Sequence, residues 1–180
     1  MKNYWILLLL IVTVIACSPT EESTVNVENN NMENTVPAGY SSVNISDKGM
    51  PLQILLPEKS LTEAEIAFNS NFGRMEVSCG DQFNYFITEE KVEMETKKNE
   101  IESGIFTINY LKDEPGLIIY ESKLPDGSSK YYHFYAIENH EERTYLIEDN
   151  PLREFRLEEV ESMALSASEI KLIENLTDIK

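Results

Sequence analysis

The chain has 180 residues, 42% hydrophobic and 26% charged, which is enough apolar material for one globular core and excludes wholesale disorder. Lys and Arg total 15 against 32 Asp and Glu, a formal net charge of −17. That balance excludes the basic footprint that neutralises nucleic-acid phosphates, and equally a basic face for docking on anionic lipid.

The N-terminal stretch predicts an address. Lys2 supplies one positive charge, and Tyr4 to Ala16 is uncharged and almost entirely apolar. A run of that length suits the hydrophobic region of a signal peptide and falls short of the ~20 residues a spanning helix needs. It closes on Val14-Ile15-Ala16-Cys17. These four residues resemble a bacterial lipobox, the recognition site of signal peptidase II, with an aliphatic residue, then a small residue directly before an obligatory cysteine. The resemblance implies cleavage before Cys17, a diacylglyceryl thioether on its sulfur, and acylation of the new amine in bacteria with two membranes. At ~0.8 kcal/mol per buried methylene one acyl chain anchors only marginally, whereas two or three hold stably. An ordinary secretory signal would end on an A-x-A-like site, and Ile15-Ala16-Cys17 makes a poor one. Residues 1–16 are therefore expected to be a lipoprotein signal peptide, with Cys17 as the lipidated residue. The expected location is the bacterial cell envelope: Ser18 does not match the Asp retention signal of inner-membrane lipoproteins, which favours the outer membrane, facing the periplasm or the cell surface.

Residues 17–45 read as the lipidated cysteine and a flexible acidic tether. From Ser18 to Ile45 there are seven Ser or Thr, six Asn and four Glu, no Lys or Arg, and a single aromatic, Tyr40. Such a segment buries too little apolar surface to offset its ordering entropy. As a coil it would reach roughly 5–6 Å × √n, on the order of 30 Å. The expected globular domain, residues 46–180, carries 28 of the 32 acids and 14 of the 15 bases.

In chain order, Asp47-Lys48-Gly49 predicts a turn, and Leu52 to Leu56 a strand stopped by Pro57. Ser60-Leu61-Thr62-Glu63 resembles a capping box opening a short helix to about Asn69. Met75 to Cys79 alternates as a strand, Gly80-Asp81 turns, and Phe83 to Thr88 forms the next strand. Glu89 to Ser103 predicts an exposed acidic helix ending near Gly104. Ile105 to Leu111 is ambiguous between strand and helix end. Leu117 to Glu121 is a strand after the Pro115-Gly116 turn, and Lys130–Glu138 with Arg143–Glu148 predicts a hairpin around Asn139 to Glu142. Glu158 to Ile170 predicts a final helix burying Val160, Met163, Ala164, Ala167 and Ile170. The segment Tyr131 to Ile137 is bulky on both faces, which places it near a sheet centre with layers above and below. The expected class is α+β, a single domain with an antiparallel sheet flanked by helices.

Gly49-Met50-Pro51-Leu52-Gln53-Ile54, Gly80-Asp81-Gln82-Phe83, Glu114 to Glu121, Tyr131-Tyr132-His133-Phe134 and the C-terminal helix resemble a group of small uncharacterised bacterial lipoproteins. That group is similar in element order to the PsbP-like fold of the extrinsic photosystem II protein. The resemblance covers residues 48–170 and implies an α/β/α sandwich acting as a non-enzymatic binding or assembly module. It assigns no functional residue.

Candidate chemistry is sparse. With Cys17 lipidated, Cys79 has no disulfide partner, and its alternation with Val77 and Met75 predicts a buried, inert thiol. His133 reads as a packed, hydrogen-bonded sheet residue and His140 as a solvated turn residue, on opposite strand faces. The hairpin tip with Glu138, His140, Glu141 and Glu142, and Glu148-Asp149 returning, is rich in carboxylates. Hard cations favour oxygen ligands, so Glu141, Glu142 and Asp149 are the candidate metal ligands, although no EF-hand spacing is present. No catalytic residue, cofactor-binding motif or cofactor is indicated. Most of the aromatic set Tyr85, Phe86, Tyr110, Tyr120, Tyr131, Tyr132, Phe134, Tyr135 and Tyr145 is expected in the core. The function these features favour is non-catalytic: a lipid-anchored envelope lipoprotein whose acidic domain binds or assembles a partner, such as a basic envelope or secreted protein. The alternative is a small envelope hydrolase or cation-binding domain using the hairpin-tip carboxylates.

Overall fold

The computed structural model describes residues 36–140 and 142–173. The expected signal peptide, Cys17, the tether up to residue 35, and Glu141 lie outside the described residues.

Strand β1 (Tyr40–Asn44) pairs antiparallel with β2 (Leu52–Pro57), with Ser42 opposite Leu55. The folded region thus begins before the expected boundary at residue 46, inside the segment assigned to the tether. Polar composition hid this strand because its anchoring is tertiary: the Tyr40 hydroxyl meets Ser162 Oγ at 2.7 Å. A short 3-10 helix, Ser46–Lys48, and Gly49 at φ +105° turn the chain into β2.

A second correction concerns residues 58–69. The expected helix is instead a 3-10 helix, Glu58–Glu63, followed by strand β3 (Ala64–Asn69). β3 pairs with β4 (Arg74–Cys79), Ile66 opposite Val77, so a neighbouring strand satisfies its backbone groups. A helix of about ten residues repays nucleation poorly, and an adjacent edge outcompetes it. Ser60 caps no helix; its carbonyl accepts the Cys79 thiol at 3.1 Å. Burial, and next the charge of Glu63, push that thiol's pKa up, as an inert core cysteine requires.

β5 (Asn84–Glu89) leads to helix α1 (Met94–Glu102), shorter than the expected Glu89–Ser103 because Glu89 still pairs within the sheet. The ambiguous segment resolves as β6 (Thr107–Glu114), a hairpin partner of β7 (Leu117–Lys123) through Pro115-Gly116, with Gly116 at φ +82°. β8 (Lys130–His140) and β9 (Arg143–Asp149) form the predicted hairpin, and helix α2 (Leu157–Ser168) precedes β10 (Lys171–Leu172). Glu159 sets the start of α2 by accepting the Arg156 N–H at 2.9 Å.

The strands form two antiparallel sheets, β1-β2-β10 and β3-β4-β5-β9-β8-β7-β6. β8 lies inside the larger sheet, where its bulky residues placed it. Alternation sends Met75, Val77, Tyr85, Ile87, Phe134, Ala136, Tyr145 and Ile147 to one face. They pack there with Val160, Met163, Ala164 and Ala167 of α2 and Leu52, Ile54 and Leu56 of β2. Helix α2 therefore joins the two sheets. Its fully buried Ser166 donates to the Leu55 carbonyl at 2.5 Å and meets the Tyr85 hydroxyl at 3.1 Å. Replacing Ser166 by Ala strands both groups, and denaturant unfolding should show a loss of about 1–3 kcal/mol. Ser168→Ala on the exposed side should stay within about 0.5 kcal/mol.

Candidate functional site

The other face of the larger sheet has a thinner cover. Helix α1 has no buried residue and packs along β6, with Lys97 reaching to the Tyr135 ring. A groove of about 600 Å³ opens beside it. Strands β7 and β8 supply the floor with Tyr120, Ser122, Tyr131, His133 and Tyr135, and β9 adds Glu148 and Asp149. Phe106 and the loop after β9, including Leu152 and Arg153, form the walls.

Strand register builds the floor. Tyr120 lies opposite His133, with ring centroids 5.3 Å apart, and the Tyr120 and Tyr135 rings are parallel within 2° at 6.2 Å. β8 and β9 pair only as far as Tyr135 opposite Glu148, and beyond that point Asp149 takes over. Its Oδ1 accepts the Phe134 N–H at 2.8 Å, in place of a ladder carbonyl, and its Oδ2 meets His133 Nδ1 at 2.8 Å. This contact fixes the ring and leaves Nε2, without a protein hydrogen-bond partner among the described residues, as the polar atom available to a ligand.

Burial governs the protonation of the floor. It pushes the Tyr120 hydroxyl far above the ordinary phenol range, and the neighbouring Tyr135 adds to the shift. Burial also raises Tyr135, reinforced by Glu148. Both phenols stay protonated and serve as hydrogen-bond donors. Burial raises the Glu148 carboxyl too, with the Lys97 ammonium pulling against it.

Among the described residues, the hairpin candidates Glu142 and Asp149 do not converge. Glu142 is exposed at the tip, while Asp149 ends β9, about 20 Å away along an extended strand. Among the described residues, no group of three or more His, Cys, Asp or Glu is placed to hold a metal ion. Glu138 sits opposite Tyr145 on the core face, whereas Glu148 sits opposite Tyr135 on the groove face, so the sheet separates them. His140 is the last residue of β8 rather than a turn residue, its ring 6.2 Å from Tyr145. His133 is the packed, hydrogen-bonded residue expected.

Sequence reasoning missed the groove because it assigned most aromatics to the core. Tyr85, Phe134 and Tyr145 are there, but Tyr131 and Tyr135 are only half-buried on the opposite face. The available signal was the alternation Tyr131, His133, Tyr135, which sets a polar-tipped row on one side of β8. No protein-family model matches this chain, and no curated protein matches it.

Glu138 supplies a pH test. Burial, then repulsion from Glu169, pushes its carboxyl up to about 7 from an ordinary 4.5. The folded state then binds more protons than the unfolded state between those values, so this group's contribution to stability falls as pH rises from about 4.5 to 7. Melting temperatures across that window should decline through this group, and Glu138→Gln should flatten the decline. A second test concerns Asp149: its replacement by Ala unpartners the Phe134 N–H and His133 together, and unfolding should reveal a loss of about 2–4 kcal/mol.

Proposed function

We propose that this chain is a lipid-anchored, non-catalytic envelope lipoprotein whose acidic domain binds a partner through the groove beside α1. One observation carries the binding reading: a cavity of about 600 Å³ whose floor combines aromatic faces with oriented polar groups, Tyr120, Tyr135, His133 and Glu148. Ligand sites share that make-up, apolar and aromatic walls with a few placed polar atoms. The negative charge of −17 adds direction, because an acidic field speeds association with a basic partner and weakens as salt rises.

The anchor rests on the N-terminal apolar run and Cys17. The kinship to PsbP-like modules is part of the same proposal. Its support is the larger antiparallel sheet with α2 on one face and α1 on the other.

Two measurements test the reading. Intact mass of the purified protein should show a chain starting at Cys17 with added diacylglyceryl and acyl mass, and Cys17→Ala should leave the membrane fraction. Membrane retention of that variant, or an unlipidated Cys17, would overturn the anchor. On the immobilised protein, basic envelope proteins should be retained at low salt and released as ionic strength rises. Retention indifferent to salt would remove the basic partner.

A further inference from the structure

Rim and floor of the groove differ in chemistry. The rim is apolar and open: Phe106 is 37% exposed and Leu152 92%. The floor is polar and anionic, with Glu148 and Asp149 beside the two tyrosines, and Glu100 and Glu154 add carboxylates to the walls. The one guanidinium among the lining residues, that of Arg153, is engaged by the Asp81 carbonyl at 3.2 Å. Ser122 is 5% exposed and lines the groove, and its hydroxyl has no hydrogen-bond partner among the described residues. That leaves the hydroxyl open to a polar contact from the groove side.

An ammonium already lies against this surface. Lys97 Nζ is 5.7 Å from the centre of the Tyr135 ring and pairs with Glu100 at 3.0 Å, its side chain only 15% exposed. Aromatic faces and carboxylates together stabilise such a charge, more so as water is excluded. An anionic ligand would meet four carboxylates in the same cavity. A purely apolar ligand would bury Glu148, Ser122 and His133 without compensation.

Resting on the partner-binding reading above, we infer that the groove receives a lysine or arginine side chain of a basic partner protein. The alkyl stem lies along Phe106 and Leu152. The cationic head sits over the Tyr120 and Tyr135 rings, where Glu148 supplies the countercharge and the Ser122 hydroxyl accepts a hydrogen bond. Side chains of this type divide naturally between an apolar wall and a polar terminus.

The test titrates the full chain with N-acetyl-lysine methylamide and N-acetyl-arginine methylamide, following the His133 and Tyr135 resonances by NMR. N-acetyl-norleucine methylamide, with the same stem and no charge, and N-acetylglucosamine serve as comparisons. The cationic probes should saturate these resonances at concentrations about tenfold or more below the norleucine probe. Glu148→Gln should weaken the cations by roughly tenfold and leave the norleucine probe unchanged. Leu152→Ala, at a position too exposed to affect folding, should weaken lysine and norleucine alike. Equal binding of norleucine, preference for the sugar, or cation binding untouched by Glu148→Gln would each overturn the inference. Salt-sensitive retention of a basic protein that Glu148→Gln does not reduce would overturn the groove assignment while sparing the partner-binding reading. Cations filling the groove with no basic protein retained would do the reverse.

Discussion

Unequal cover of the two faces of one sheet is the constraint from which the architecture follows. Seven antiparallel strands expose two broad surfaces, and the chain has two α-helices among the described residues to lay on them. α2 carries Val160, Met163, Ala164 and Ala167 on one stripe and closes its face against a second sheet. α1 carries no buried residue and holds its face through polar and charged contacts, Lys98 with Asp113 and Tyr110 with Glu102. Apolar burial drives close packing, whereas exposed ion pairs contribute little. The weaker cover leaves the groove.

Asp149 shows how strand geometry becomes a site. The ladder between β8 and β9 stops one residue short of it, freeing the Phe134 N–H. A buried amide requires a partner, and a carboxylate supplies it while its second oxygen remains available. That oxygen holds His133, so a structural repair also orients a side chain that lines the groove. Asp149 thus has a structural role that depends on where two strands part.

Ser166 plays the corresponding part on the closed face. A hydroxyl inside a helix normally bonds its own helix backbone or water. Here it reaches the Leu55 carbonyl in one sheet and the Tyr85 hydroxyl in the other, so one small polar residue sets the position of α2 against both. Alternation in β4 and the helical stripe of α2 were legible because period and apolar content agreed over whole elements. β1 and β3 were not legible: Tyr40–Asn44 is polar, and Ala64–Asn69 is a short run with helix-compatible residues. Both are strands because a neighbour offers an edge.

By itself, the sequence determined the antiparallel β character, the position of β8 within the sheet, the buried thiol of Cys79 and the inward stripe of α2. Each rests on local periodicity or on bulk that no exposed setting would accommodate. It also carries the acidic charge, which needs no fold to act at long range. Tertiary structure alone decided that Tyr131, His133 and Tyr135 face an open groove while Phe134 and Ala136 face the core. Alternation assigns residues to two sides of a strand but does not say which side is covered. That depends on which helix reaches which face, and so on contacts between residues far apart in the chain.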